Sequence, residues 1–588
     1  MPDPTTLLTE RLQAAFDTVC SGADPVLRPS DRADFQANGA LALAKELGRP
    51  PRQVAEAVAA ALDVAGICER VEVSGPGFVN LVLATSFVED QVAAMAADVR
   101  LGVAPAARPL TVVVTYSHPN VAKEMHVGHL RSTVIGDALC RLLGHLGHRV
   151  VRENHIGDWG TNFGMLIEHL VDLGEKEAMR ELSVGDLTAF YQRARASFDA
   201  DEAFRQRSRH RVVLLQSGDP ETLRLWQVLV DESVAYFDEV YAKLGVLLTD
   251  DDIKGESYYN PMLSQVVTDL RAAGLLVEDA GAQCVFPPGF TNREGEPLPL
   301  IVQKSDGGFG YAATDLASVR DRVGNLHADR LLYVVGAPQA QHLHMVFAVC
   351  RMAGWLPEET AAEHVNFGSV LGADHRMLRT RSGGSVKLVD LLDEAVERAR
   401  AAIAERGRDQ GDVDVDAVAR ALGIGAVKYA DLSIDRAKDY VFDWDRMLAF
   451  EGDTGPYLQY AHARIRSIFR RAGAGGPQAG ATGEGTAAPL IAAGDAIHLG
   501  EPEERALGIA LLGYGAAISA AVEASAPSKL CAYLYGLATT FTSFYERCPV
   551  LRAPDAATRH SRLVLADATA RVLAEGLQLL GIEAPAHM

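Results

Sequence analysis

A chain of 588 residues, 48% of them hydrophobic, can bury several cores, and at about 150 residues per domain it divides into roughly three to five. Charged residues make up 23%, an ordinary share for a soluble globular protein; the seven cysteines are scattered with no C-x-x-C pair, which speaks against a zinc site and a disulfide framework. The net charge of −21 is unfavourable for phosphate contacts overall, yet a large acidic protein can carry local basic faces, so charge alone decides nothing about a nucleic-acid partner.

The opening MPDPTTLLTERLQ lacks the basic start and apolar core of a signal peptide, and a cytoplasmic location is expected. Residues 1–105 read as a small α/β unit. The helical patterns LTERLQAAFDTV and PRQVAEAVAAALDV precede a strand pair around VEVSGPGFVNLVL, divided by a turn at Gly75-Pro76-Gly77. ARPL then leads into the first strongly β run, Thr111 to Val114. Over 106–355, VVVT, GHLRSTVIGDALCRLLGHLG and RVVREN alternate in the rhythm of a doubly wound, Rossmann-type parallel sheet. The charged helical material between Glu175 and Val246 is an insertion in it. Residues 356–450 hold LVDLLDEAVERARAAIAERG, which opens a helical region reaching the C-terminus through 451–588. AGAGGPQAGATGEGTAAP is expected to be a flexible inter-helix loop. The uncharged run from Ala506 to Val522 falls short of the ~20 residues of a membrane span and reads as one buried helix.

The strongest chemical signal is SHPNVAKEMHVGHLRST, Ser117 to Thr133. A β run ends in a polar turn, and His126-Val127-Gly128-His129 leads straight into a helix. Unpaired N–H groups and partial positive charge at such a helix start suit a phosphate. Gly128 leaves room for a nucleotide to lie on the backbone, and the two imidazoles can donate hydrogen bonds to a pentacovalent phosphate. Lys123 adds a mobile positive charge. For H-x-G-H alone a plain helix-capping pair is the better reading; the preceding strand and Lys123 reverse the balance.

The segment resembles the HIGH signature of class I aminoacyl-tRNA synthetases, in the extended form PN-x-AK-x-x-H-x-GH-L-R-S-T that marks the arginine enzymes. ENHIGDWGTNFGMLIEHL, the GES of DIKGESYYN, QKSDGGFGYAATDLA, GAVKYADLS and DTGPYLQYAHARI extend the resemblance over essentially the whole chain. It implies a Rossmann-type catalytic core, an N-terminal α/β domain that contacts the tRNA D-loop and a C-terminal all-α anticodon-binding domain. The implied reaction has two steps. Arginine attacks the α-phosphate of ATP-Mg, releasing pyrophosphate, and the arginyl group then passes to the terminal ribose of tRNA(Arg), with activation generally needing bound tRNA. Mg2+ comes with ATP, and no dedicated protein metal site is expected. By the resemblance His126, Gly128 and His129 bind ATP, with Lys123 beside them. Asn120 holds the substrate's α-amino group, and Glu256, Tyr311, Asp315 and Gln339 form the arginine pocket. Carboxylates and a phenol oxygen are suitable acceptors for a guanidinium. Without the resemblance, Glu256 and Asp315 would pass for solvated surface acids.

Three departures from the family pattern cluster at the site. Thr115 stands where the family usually has an acid that helps bind arginine. VVGAPQAQHL replaces a more polar stretch, with Pro338 beside Gln339. The second signature loop is degenerate: GADHRMLRTRSGGSVKL has Arg376 and Arg379 where lysines are expected to hold ATP phosphates, and Lys123 fits the compensating role.

For tRNA, Phe78 and Asn80 alternate along one strand and face one side, and residues near Gln36 and Asn38 are expected to assist; an aromatic and an amide suit a splayed-out base, and a core role for Phe78 is equally open. Tyr457, Tyr460, Arg464 and Arg466, followed by Phe469, Arg470 and Arg471, suit an anticodon stem and loop, although such a run is more often a solvated face. A monomer with no membrane association is expected. The competing readings are a specialised second copy with altered discrimination against arginine analogues, motivated by Thr115 and the altered signature loop, and a catalytically silent tRNA-binding paralogue.

Overall fold

The structure is a computed structural model, and it describes residues 4–30, 32–183, 187–379, 386–405, 414–472, 490–492 and 495–588. Most of the Gly/Ala/Pro-rich stretch expected to be a loop, 473–489, lies outside the described residues, as do 380–385 of the second signature loop. The chain divides into two compact units: the described parts of 1–105, 407–422 and 449–588 form the first, and those of 106–406 and 423–448 the second.

In the first unit, helices Pro4–Asp17, Gly39–Leu47 and Pro51–Ala61 accompany an antiparallel sheet of β1 (Leu27–Pro29), β2 (Phe35–Ala37), β3 (Cys68–Ser74) and β4 (Phe78–Leu83), in the order β1-β2-β4-β3. The expected hairpin is β3–β4. Its turn needs Gly77, where φ is +146° and a Cβ would come within 2.8 Å of the Pro51 backbone. Strands β1 and β2 are additions: three residues each are too few to show a period of two.

The rest of this unit is a bundle of Gly455–Ala472, Pro502–Leu512, Tyr514–Glu523, Ser528–Arg547 and Ala556–Leu579. The run expected as one helix is two, which meet at Gly513. The Tyr533 hydroxyl donates to the carbonyls of Ala510 and Leu511 there, which satisfies the end of the first helix. Pro502–Glu523 is long and apolar enough to cross a membrane by length and composition alone, but its side chains Leu507, Leu511, Tyr514 and Ile518 are buried in the bundle.

The N-terminal sheet and the bundle are joined by polar contacts. Arg505 grips Asp34 through two bonds of 2.9 and 2.7 Å and also donates to the Leu83 carbonyl. Glu89 accepts from the Leu499 N–H, and Arg571 donates to the carbonyls of Ala96 and Asp98 at the end of helix Thr85–Ala97.

The second unit is built on β5 (Thr111–Thr115) and β6 (Arg149–Glu153), an antiparallel ribbon of β7 (Val277–Asp279), β8 (Ala282–Val285) and β9 (Leu300–Gln303), and then β10 (Arg330–Tyr333) and β11 (Ala361–His364). Strands β11-β10-β5-β6 form a parallel sheet. Val112, Val113 and Val114 are all buried, so both faces of β5 are covered, as an unbroken valine run requires. Helix Val127–His145 connects β5 to β6, and Ala340–Met352 connects β10 to β11. The chain therefore leaves neighbouring strands β5 and β10 in opposite directions across the sheet. That is a topological switch point, and in open α/β sheets ligands bind beyond the C-terminal ends of the strands at such a point. Among the described residues the expected insertion is helical: Glu175–Ser183, Leu187–Ala200, Glu202–Ser217 and Pro220–Leu244.

Candidate active site

The turn after β5 is strained and tied down. Ser117, His118 and Ala122 have φ of +76°, +56° and +60°, a region that side chains with a Cβ rarely adopt. Ser117 N–H donates to Ser132 Oγ, and its own Oγ lies 2.7 Å from the Tyr241 hydroxyl. His118 N–H donates to Asn154 Oδ1, and Ala122 N–H to Ser233 Oγ. Asn120 bridges in parallel to Gly157 and is exposed; a Cβ at Gly157 would overlap the Asn120 amide oxygen.

His126 caps the Val127–His145 helix. Its Nδ1 accepts from the Gly128 N–H at 3.0 Å, and Nδ1 of His129 accepts from the His126 N–H at 3.1 Å, a reciprocal capping box. The two rings stand 4.1 Å apart. With Nδ1 accepting, each neutral imidazole carries its proton on Nε2. Burial pushes both pKa values down, that of His129 to about 3, so both rings stay neutral at physiological pH. Capping and phosphate donation thus use opposite edges of the same rings, and the two readings of this motif hold together. A Cβ on Gly128 would lie 2.7 Å from His126 Cε1, so glycine is needed for the ring as much as for a ligand.

The far end of the second signature loop is stitched to the first. Val127 N–H donates to the Val386 carbonyl and Leu388 N–H to that of Met125. Buried Glu124 pairs with Lys387 at 3.0 Å and accepts from the Thr188 N–H. Lys123 places its ammonium 4.4 Å from the centroid of the Tyr191 ring. Arg376 and Arg379 are exposed.

A second cluster lies in the same unit. Glu256 opens helix Glu256–Ala272, Tyr311 opens Tyr311–Gly324, and Asp315 follows one turn later. His342 joins the last two: Nε2 is 2.6 Å from Asp315 Oδ2, and its ring lies 4.7 Å from that of Tyr311. Burial, then the nearby carboxylates of Asp158 and Asp315, raise the Glu256 pKa to about 7. Asp158 is held by the Ser257 N–H and hydroxyl. Gln339 is exposed on the one-turn helix Ala337–Gln339 after β10, three residues before His342. Asp158, Glu256 and Asp315 are thus close enough to act on one another electrostatically, and negative charge gathered this way is a setting for a cation. Thr115, where an acid was expected, is the buried last residue of β5, and its hydroxyl has no hydrogen-bond partner among the described residues. Asp158 and His342 escaped sequence reasoning. Both sit in quoted segments, DWGTN and AQHL, but only their neighbours in space mark them.

The candidates in the first unit are less open than expected. Asn80 is buried; its Oδ1 accepts from Gln36 at 2.7 Å, and its amide donates to Ser74 at 2.7 Å. Phe78 is half-buried, and Asn38 Oδ1 is buried without a partner among the described residues. On helix Gly455–Ala472, Phe469 is buried and Arg466 is turned inward to Asp567, so these two do not belong to an exposed basic and aromatic face. Arg464 is exposed and lies 4.9 Å from the Tyr545 ring, and Tyr460 is half-buried beside Phe450.

A helix N-terminus with paired histidines at the switch point of a parallel sheet defines the catalytic core of a class I synthetase. Family models agree and go further. Residues 91–444 match the class I tRNA synthetase (R) catalytic domain, 5–83 the arginyl tRNA synthetase N terminal domain, and 458–588 the DALR anticodon binding domain. The chain is 54% identical to the arginine–tRNA ligase of Thermobifida fusca over 100% of both chains, and 48% identical to that of Escherichia coli over 99% of both. Among solved structures, the arginyl-tRNA synthetase of Plasmodium falciparum superposes with a TM-score of 0.85 at 29% identity, covering 100% of both chains. The chain belongs to the arginyl-tRNA synthetase family. These full-length matches favour the ligase over a specialised copy or a silent paralogue.

Proposed function

We propose that this chain is an arginine–tRNA ligase that activates L-arginine with ATP and transfers it to tRNA(Arg). The observation that carries the reading is the pairing, within one unit, of a donor-rich helix start at His126–His129 with the carboxylate cluster of Asp158, Glu256 and Asp315. The guanidinium is held by Glu256 and Asp315, with Tyr311 and Gln339 completing the pocket and Asn120 receiving the α-amino group. This leaves the substrate carboxylate free to attack the α-phosphate. Nε2–H groups of His126 and His129, the helix N-terminus and the Lys123 ammonium stabilise charge as it builds on phosphorus; Arg376 and Arg379 approach from the second loop. Mg2+ travels with ATP and neutralises its phosphate charge. Residues 1–105, with half-buried Phe78 as the contact and buried Asn80 holding Gln36 in place, and residues 451–588, with Tyr460 and Arg464, meet the tRNA, and 356–450 carry the second loop and stem helices. Both subsites are built from this one chain, which supports a protein that acts as a monomer.

The test is tRNA-dependent, arginine-dependent pyrophosphate exchange. The wild type exchanges, and His129→Ala is slower by about 10²–10³-fold, the usual loss for one transition-state donor. Absence of exchange above background in the wild type would sink the reading.

A further inference from the structure

We propose that Tyr191, on the insertion helix Leu187–Ala200, is a positioning residue that holds the Lys123 ammonium ready for the ATP phosphates. The proposal rests on the reading of Lys123 as a phosphate ligand. A lysine stem is flexible, and a free ammonium beside the signature would sample many positions. Its Nζ instead sits 4.4 Å from the Tyr191 ring centroid, well inside cation–π range. A ring face restrains a cation without neutralising it, and it leaves N–H donors free for a phosphate. A carboxylate would restrain the lysine equally well but would cancel the charge that the reaction needs.

The surroundings show that such cancellation is avoided. Glu124, the next residue, is committed elsewhere: one oxygen bonds Lys387, and the other accepts from the Thr188 N–H. Among the described residues no carboxylate pairs with Lys123, whose ammonium instead meets the Tyr191 ring. The same two signature residues are thus tied to one turn of the insertion helix, Glu124 through Thr188 and Lys123 through Tyr191. The arrangement also places the ammonium close enough to His126 to help depress its pKa, second to burial. The insertion is in this view part of the ATP site.

The experiment is a double-mutant cycle on the full-length enzyme, read by pyrophosphate exchange as the KM for ATP and, separately, for arginine. Tyr191→Leu is expected to raise the KM for ATP by about five- to tenfold with little change for arginine, and Tyr191→Phe, which keeps the ring, to recover most of that. In a Lys123→Ala background, Tyr191→Leu should add almost nothing, because the cation it positions is gone. An equal effect of Tyr191→Leu in both backgrounds would show a merely structural role and overturn the proposal. Wild-type ATP dependence in Tyr191→Leu alongside a defect in Lys123→Ala would also overturn it, while leaving Lys123 as a ligand. A neutral Lys123→Ala would remove both.

Discussion

The residues of the site are governed by how ordinary groups are desolvated and shared. His126 and His129 use Nδ1 to cap the helix, which forces the proton onto Nε2, and burial keeps both rings neutral. Sequence reasoning found this pair because capping and anion binding both draw on the same unpaired N–H groups. Glu256 is governed by its neighbours. With a pKa near 7 it is partly protonated at neutral pH in the free enzyme, and only the ionised form pairs its charge with a guanidinium. As pH falls through about 7 the accepting form is lost, so the KM for arginine should rise, approaching about tenfold per pH unit below that point. Glu256→Gln should bind arginine weakly but without this dependence. Steady-state kinetics between about pH 6 and 8 measure it. A flat arginine KM in the wild type would contradict the convergence of carboxylates.

At the scale of elements, helix Val127–His145 serves as both anion site and structural spine. Its Arg131, almost fully buried, pairs with buried Asp431 at 3.3 Å. It also donates to the Lys438 carbonyl and lies over the Tyr440 ring. Tyr440 belongs to the short strand Tyr440–Val441, which pairs with Val370–Leu371 at the base of the second signature loop. The first signature helix thereby fixes the platform from which the second loop departs. Asp431→Ala leaves a buried guanidinium uncompensated and should cost about 3–5 kcal/mol. Replacing both partners with apolar residues, Arg131→Met with Asp431→Leu, should recover most of it, since the cost lies in the unpaired charge. Thermal unfolding of the three proteins checks this, and a double variant no better than Asp431→Ala would refute it. Helix Val127–His145 and strands β5 and β6 were legible in the alternation of short β-like runs with a helical stretch. The split at Gly513 was not, because the apolar pattern continues through it and only the distant Tyr533 hydroxyl marks the break.

At the scale of the molecule, the first unit draws together the two ends of the chain. Arg505 and Asp34 join through a two-pronged, mostly buried pair, and the Leu83 N–H also donates to Asp34. Arg505→Ala should cost about 1–3 kcal/mol after allowance for partial exposure. Faster hydrogen exchange should follow in strands Phe35–Ala37 and Phe78–Leu83. Unchanged exchange there would mean that apolar contacts alone hold the sheet to the bundle. The sequence by itself determined which residue types carry the chemistry and in what order. It also determined the strand and helix rhythm of the catalytic core, and the family, because these are written in residues a few positions apart. Only the tertiary structure decided that Asp158 and His342 join Glu256 and Asp315, that Tyr191 faces Lys123, and that Asn80 is engaged by Gln36 and Ser74. Each of these depends on side chains that packing brings together, most of them across long separations, and local periodicity carries no record of such meetings.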